Sequence, residues 1–286
     1  MLVAAFVLPL ANLASQLLWE ARPGAAPSEP TGSRQPTTPQ LGDIVTSYST
    51  VIFDLDGTLL DTLEDLHLTL NHTLAALGMP TRTLVETRAF VGNGIRRLIE
   101  RAVPAGTDEA TVAKANAEFD THYAVHCNDH TRPYPGVPEL LARLRGRGVR
   151  LAVVSNKTQY AVDELVGIHF EGAFDAVVGV RPGVARKPAR DMVDVAIAEM
   201  GGVACGPSVY VGDSEVDVAT AAAAELPCLS VSWGFRTPEQ LAEAGAATIC
   251  ATADELERAL DGTKGTKGDG FVWHPGTKGD GFVWHP

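Results

Sequence analysis

One stretch constrains this chain more than any other. The apolar run Val51-Ile52-Phe53 breaks into Asp54-Leu55-Asp56-Gly57-Thr58-Leu59-Leu60-Asp61-Thr62. Such a run reads as a buried strand that opens into a loop, and Gly57 marks where the backbone is expected to turn. Asp54 then sits at the carboxyl end of the strand and Asp56 just beyond it. A carboxylate in that place can serve as a nucleophile or a magnesium ligand, and its neighbour can shuttle a proton. The plainer alternative is a strand followed by an Asx-type turn.

Downstream the apolar pattern changes period. Leu63, Leu66, Leu70, Leu74 and Leu77 recur at helical spacing until Gly78-Met79-Pro80, and two further helical pieces follow, one after Gly94 and one over about 108–127. This block is long enough for a small helical domain set between two strands. It ends at Tyr134-Pro135-Gly136-Val137, and from there short apolar strands alternate with helices. The alternation predicts an α/β fold, a Rossmann-like parallel sheet with helices on both faces, whose functional residues lie beyond the carboxyl ends of the strands. The expected division is an N-terminal extension over 1–47, a core formed by 48–62 and 133–261, a helical insertion over 63–132, and a tail over 262–286. The tail holds two copies of Gly-Thr-Lys-Gly-Asp-Gly-Phe-Val-Trp-His-Pro, too few and too glycine-rich for a repeat fold.

Three more strand ends carry polar residues. Val153-Val154-Ser155-Asn156-Lys157 offers a hydroxyl that could bond a phosphoryl oxygen, or simply cap a helix. Arg186-Lys187-Pro188 offers an ammonium, or an ordinary surface lysine. Val211-Gly212-Asp213-Ser214-Glu215-Val216-Asp217 offers carboxylates that suit Mg²⁺, or that merely complement a helix dipole. Hydroxyl, ammonium and carboxylates at four successive strand ends are together what phosphoryl transfer asks of a protein, namely positioning and neutralisation of charge.

The four stretches, in this order, resemble the four motifs of the haloacid dehalogenase (HAD) superfamily of phosphohydrolases. The resemblance implies that Asp54 is a nucleophile forming an aspartyl-phosphate, that Asp56 is the general acid and base, and that Ser155 and Lys187 hold the phosphoryl group. It implies Mg²⁺ bound by Asp54, the Asp56 carbonyl and Asp213, with Asp217 in support. Because the insertion lies between Asp54 and Ser155, the chain resembles members with a helical C1 cap. Val91-Gly92-Asn93-Gly94-Ile95-Arg96-Arg97, Tyr134-Pro135-Gly136-Val137 and Trp233-Gly234-Phe235-Arg236 are similar to phosphoglycolate phosphatases in particular. The activity so implied is hydrolysis of a small phosphomonoester, 2-phosphoglycolate first. The alternatives are a phosphatase of pyrophosphate, nucleoside monophosphates or sugar phosphates, a phosphomutase, or a non-catalytic binding protein on the same scaffold. Thr58, Asn156, Gly94, Arg96 and Arg97 are the candidate substrate contacts, the arginines because they could meet a substrate carboxylate.

Other signals narrow the class. A net charge of −12 without a basic stripe speaks against nucleic acid as a partner. Cys127, Cys205, Cys228 and Cys250 are widely spaced and are expected as reduced thiols in the cytoplasm. Residues 2–18 carry no charge but are broken by Pro9, Asn12, Ser15 and Gln16, which leaves a weak signal or membrane anchor, a surface segment, or a start placed too far upstream. A sequon at Asn156, inside the proposed site, argues against a secreted glycoprotein. His122, His126 and His130 with Cys127 are expected to be a solvated helix face, with a zinc site as the alternative. The chain is expected as a monomer or homodimer.

Overall fold

The computed structural model describes residues 48–202 and 206–262. Strand β1 (Thr50–Phe53) leads through β2 (Leu60–Asp61) into four helices, α1 (Leu63–Ala76), α2 (Leu84–Phe90), α3 (Ile95–Ala102) and α4 (Glu109–His126), and returns through β3 (Arg132–Pro133). The rest alternates: α5 (Val137–Gly146), β4 (Arg150–Thr158), α6 (Gln159–His169), β5 (Ala176–Val180), α7 (Asp191–Glu199), β6 (Ser208–Gly212), α8 (Glu215–Ala223), β7 (Cys228–Val231), α9 (Pro238–Glu243), β8 (Ile249–Cys250) and α10 (Ala253–Leu260). Six strands form one sheet in the order β5-β4-β1-β6-β7-β8. Every pairing in it is parallel, as the alternation predicts.

The all-apolar β1 sequence follows from its position, because a central parallel strand is covered on both faces. Val51 and Phe53 pack with Leu151, Val153, Val209 and Val211 under Leu140 of α5, Leu165 of α6 and Leu256 of α10. Ile52 faces the other way, with Ala152, Val154 and Tyr210 under Met192 of α7 and Ala221 of α8. This is the two-residue alternation of a strand, and each fully buried Val, Ile, Leu, Phe or Met side chain contributes about 1.5–3 kcal/mol.

Register positions the chemistry. Phe53 lies opposite Val153 on one side and Val211 on the other. The residues that follow these three therefore emerge together at one edge of the sheet. The chain runs outward from β4 to β5 and crosses back to β6, so this edge is a topological switch point, the usual place for a ligand in such sheets.

Four elements were not expected. Helix α2 buries little besides Thr87 and exposes Leu84 and Val85, so it carries no apolar stripe. Its signal is instead the capping box of Thr83 and Glu86. Helix α10, capped by Thr252, buries Ala253, Leu256 and Leu260. Strands β2 and β3 pair antiparallel over two residues each, too short for any periodicity, at the entry to and exit from the four helices. Buried Asp65 of α1 ties the same hinge, accepting bonds from the His130 and Thr131 amides at 3.0 and 2.8 Å and from the Thr131 hydroxyl at 2.7 Å.

Among the described residues, no helix is long and apolar enough to cross a membrane. The N-terminal extension over 1–47, Cys205 and the C-terminal repeat lie outside the described residues.

Candidate active site

The loop after β1 is set by Gly57 at φ +89°, and the amides of Thr58, Leu59 and Leu60 all donate to the Leu55 carbonyl. It leaves Asp54 at the strand end and Asp56 one step beyond. Asp54 is anchored by its own amide, which donates to the Val211 carbonyl at 2.9 Å. Asp54, Asp213 and Asp217 are all buried, and each offers a carboxylate oxygen within 4.8 Å of the other two.

Against these three carboxylates the described residues bring one directly bonded ammonium. Lys187 Nζ lies 2.8 Å from Asp54 Oδ1 and 2.8 Å from Asp217 Oδ1, and donates to the Tyr210 hydroxyl at 3.2 Å. Burial works against the charge on Lys187, but Asp217 and then Asp54 outweigh it and hold its pKa well above the usual lysine value. The carboxylates show the strain of their shared negative charge. Burial and then Asp217 push Asp54 up to about 7 in spite of Lys187. Asp213 is likewise pushed well above the carboxylate range by burial, Asp217 and Asp54. A buried donor set of this kind, short of positive charge, fits a hard divalent cation.

Asp213 is held by its surroundings. It accepts from the Phe235 amide at 2.7 Å and from Thr58 Oγ1 at 3.2 Å. Gly234 leaves room for it, since a β-carbon there would collide with Asp213 and with the Gly57 carbonyl. Asp217 accepts from the Ser214 amide and hydroxyl at 3.1 and 2.6 Å, in addition to Lys187, so it is engaged largely in support.

Asp56 takes partners of its own. Its Oδ1 accepts from Thr62 Oγ1 at 2.7 Å and from Lys157 Nζ at 2.8 Å. Strand β4 runs on to Thr158, with a register irregularity in its pairing with β5 after Val154, so Ser155, Asn156 and Lys157 all reach the site. A cavity of about 40 Å³ is lined by Asp54, Asp56, Ser155, Asn156, Lys157 and Lys187 from the sheet edge, and by Val91, Gly92, Gly94, Ile95 and Leu98 from the helical insertion. Asn156 Nδ2 donates to the Lys187 and Gly92 carbonyls, while its Oδ1 is buried without a hydrogen-bond partner among the described residues.

The structure thus brings together Asp54, Asp56, Ser155, Asn156, Lys187, Asp213, Asp217 and Gly94. Thr58 turns to Asp213 instead of the cavity. Arg96 and Arg97 are not among the residues lining the cavity. Arg96 pairs with Glu100 and Glu109 at 2.8 and 2.7 Å and Arg97 with Glu100 at 2.7 Å, both on the exposed side of α3. Of the histidines, His122 stacks on His72 and His126, while His130 turns away to Asp65.

A family model for haloacid dehalogenase-like hydrolases matches residues 51–231. The chain belongs to that family. A phosphoglycolate phosphatase of Pseudomonas syringae pv. tomato is 35% identical to this HAD protein over 217 residues, 74% of this chain and 78% of that one. One of Mesorhizobium japonicum is 38% identical over 191 residues, 65% of this chain and 83% of that one. A solved structure from Lactobacillus delbrueckii subsp. bulgaricus, provisionally assigned as a phosphoglycolate phosphatase, has a TM-score of 0.71 at 35% identity and covers 75% of this HAD chain and 99% of its own.

Sequence reasoning gave no role to Lys157, Tyr123 or Arg236. Arg236, only 8% exposed, pairs with Glu215 at 2.7 Å and donates to the Val91 and Arg88 carbonyls at 2.8 and 3.2 Å, joining the sheet edge to the helical insertion of this HAD fold. The signal that could have found Lys157 is its two-residue spacing from Ser155.

Proposed function

We propose that this protein is a magnesium-dependent phosphatase of small phosphomonoesters, with 2-phosphoglycolate as its substrate, hydrolysed to glycolate and phosphate in the cytoplasm. The observation that carries this reading is the Lys187 ammonium bonded to both Asp54 and Asp217 at the edge of a cavity that also holds Asp56. The similarity to phosphoglycolate phosphatases supports the choice of substrate.

Asp54 and Asp213, with the Asp56 carbonyl, would hold the magnesium, and Asp217 would support them; bound there, the ion neutralises charge on the phosphoryl oxygens. Lys187 shares that task from the other side, and Ser155 donates to a phosphoryl oxygen. Asp54 attacks phosphorus, the ester P–O bond breaks with its electron pair on the leaving oxygen, and that oxygen takes a proton from Asp56. Water then attacks the aspartyl-phosphate, returning a proton to Asp56 as the Asp54–phosphorus bond breaks. Helices α1–α4 act as the cap, and their Gly92 and Gly94 exclude bulk water from the reaction.

The test is phosphate release from 2-phosphoglycolate, pyrophosphate, nucleoside monophosphates and hexose phosphates with Mg²⁺, by wild type and Asp54→Asn. The expected result is the highest kcat/KM for 2-phosphoglycolate and none for the variant. Faster turnover of another class overturns the substrate, and an active variant overturns the nucleophile.

A further inference from the structure

We infer that Lys157 and Tyr123 are positioning residues that aim Asp56 and make its placement depend on the helical insertion, an inference that rests on the role given to Asp56 above. Asp56 lies in a loop outside the sheet ladder, so something other than strand pairing must fix its carboxylate. Two groups do so, the Thr62 hydroxyl and the Lys157 ammonium, and both bond Oδ1. Among the described residues neither bond engages Oδ2, which is left for the reacting oxygen.

Lys157 is 3% exposed and belongs to β4 in the sheet. Its second bond, at 2.9 Å, goes to the hydroxyl of Tyr123, which belongs to α4 of the insertion. The ammonium also lies 4.7 Å from the centre of the Tyr123 ring. Tyr123 is itself buried and stacked on Phe119 with ring centres 5.4 Å apart, so its hydroxyl cannot wander independently of the helix. The bonds run Tyr123 to Lys157 to Asp56, from the insertion to the sheet edge. Displacing α4 removes one of the two partners that orient the ammonium, and with it part of the hold on Asp56.

This role makes a claim that mere structural support does not. A poorly aimed Asp56 slows phosphorylation of Asp54 only when the leaving oxygen needs a proton. The glycolate alkoxide does; acetate, leaving from acetyl phosphate as a stable anion, does not. The experiment is a rapid-quench measurement of phosphoenzyme formation by the magnesium-loaded full chain, using 2-phosphoglycolate, or the alkyl phosphate hydrolysed fastest in the substrate panel, against acetyl phosphate. General acid–base assistance contributes about 10²–10⁴-fold, so Lys157→Met is expected to slow the alkyl reaction at least about tenfold and the acetyl phosphate reaction less than about threefold. Steady-state kcat should fall with little change in KM. Tyr123→Phe, which keeps the ring and should fold if the lysine variant does not, is expected to show the same selectivity at about threefold, and adding it to Lys157→Met should cost nothing further because the two act in series.

Equal loss with both substrates overturns the assignment. So does a raised KM at unchanged kcat, which would make Lys157 a substrate contact, or additive effects in the double variant. A wild type that forms no phosphoenzyme from either compound overturns both this inference and the reading of Asp54 and Asp56 on which it rests.

Discussion

The buried ammonium of Lys187 rests 2.8 Å from Asp54 Oδ1. It is the direct counter-charge to a carboxylate that burial and Asp217 push up to about 7. Removing one partner of a buried pair costs about 3–5 kcal/mol because the other charge is left uncompensated. Lys187→Met is therefore expected to lower the metal-free unfolding free energy by that amount in urea titration, and to abolish phosphate release. An unshifted midpoint would contradict the pairing.

Magnesium should restore what the carboxylate cluster lacks. At a concentration about a hundred times Kd it is expected to stabilise the fold by about 2.7 kcal/mol, raising Tm by several degrees. Chelation with EDTA should reverse the rise and stop turnover. Asp213→Asn should suppress the rise, and a full Tm response in that variant would remove Asp213 from the ligand set.

Gly234 is expected to act on metal affinity. A β-carbon at Gly234 would collide with Asp213 and with the carbonyl of Gly57. Disturbing the groups that orient ligands typically costs about 10–100-fold in metal affinity. Gly234→Ala should weaken magnesium within that range in calorimetric titration; unchanged affinity would show that the loop gives way freely.

Asp65 and His130 give the fold a pH signature at the hinge. Burial works against ionised Asp65, but the bonds from His130 and Thr131 outweigh it and hold its pKa below 3.8, while the bond to Asp65 holds His130 above 6.5. The Asp65 contribution is thus present above about pH 4 and lost as pH falls through its folded value. The His130 contribution is present below about pH 6.5 and lost as pH rises through its folded value. The stability difference between wild type and Asp65→Asn should be greatest near pH 5–6 and shrink on either side, as read by denaturation midpoints across pH. A flat difference would remove ionisation from the account.

Arg236 holds the insertion to the sheet edge by charge-assisted bonds to Val91, Arg88 and Glu215. Such bonds are worth about 1.5–3 kcal/mol each; Glu215 is half exposed and glutamine keeps one donor for the carbonyls, so Arg236→Gln should lose the worth of a single bond, about 2 kcal/mol. Amide exchange of residues 88–92 should accelerate and KM should rise. Unaltered exchange there would mean that the insertion is held elsewhere.

Much of this was legible in sequence because it is local. The apolar run of β1, the turn at Gly57, the leucine spacing of α1 and the acids after β6 are each specified by residues within a few positions of one another. The same holds for the parallel sheet, since strand and helix patterns alternate. Asp54, Ser155, Lys187 and Asp213 come from four polar stretches visible in the sequence and gather at one edge of the sheet, because parallel strands in register bring their carboxyl ends together.

What the sequence by itself determined, then, is the fold and the chemical types gathered at one edge of the sheet. Tertiary structure decided how they pair. Lys157 meets Asp56 across 101 positions of chain, and Tyr123 meets Lys157 from a helix whose orientation no local pattern encodes. Arg96 and Arg97, which the sequence offered as partners for a substrate carboxylate, pair with Glu100 and Glu109. The reason is physical: backbone hydrogen bonding and apolar periodicity act over a few residues, whereas a buried charge is settled by whichever opposite charge the finished packing sets within bonding distance.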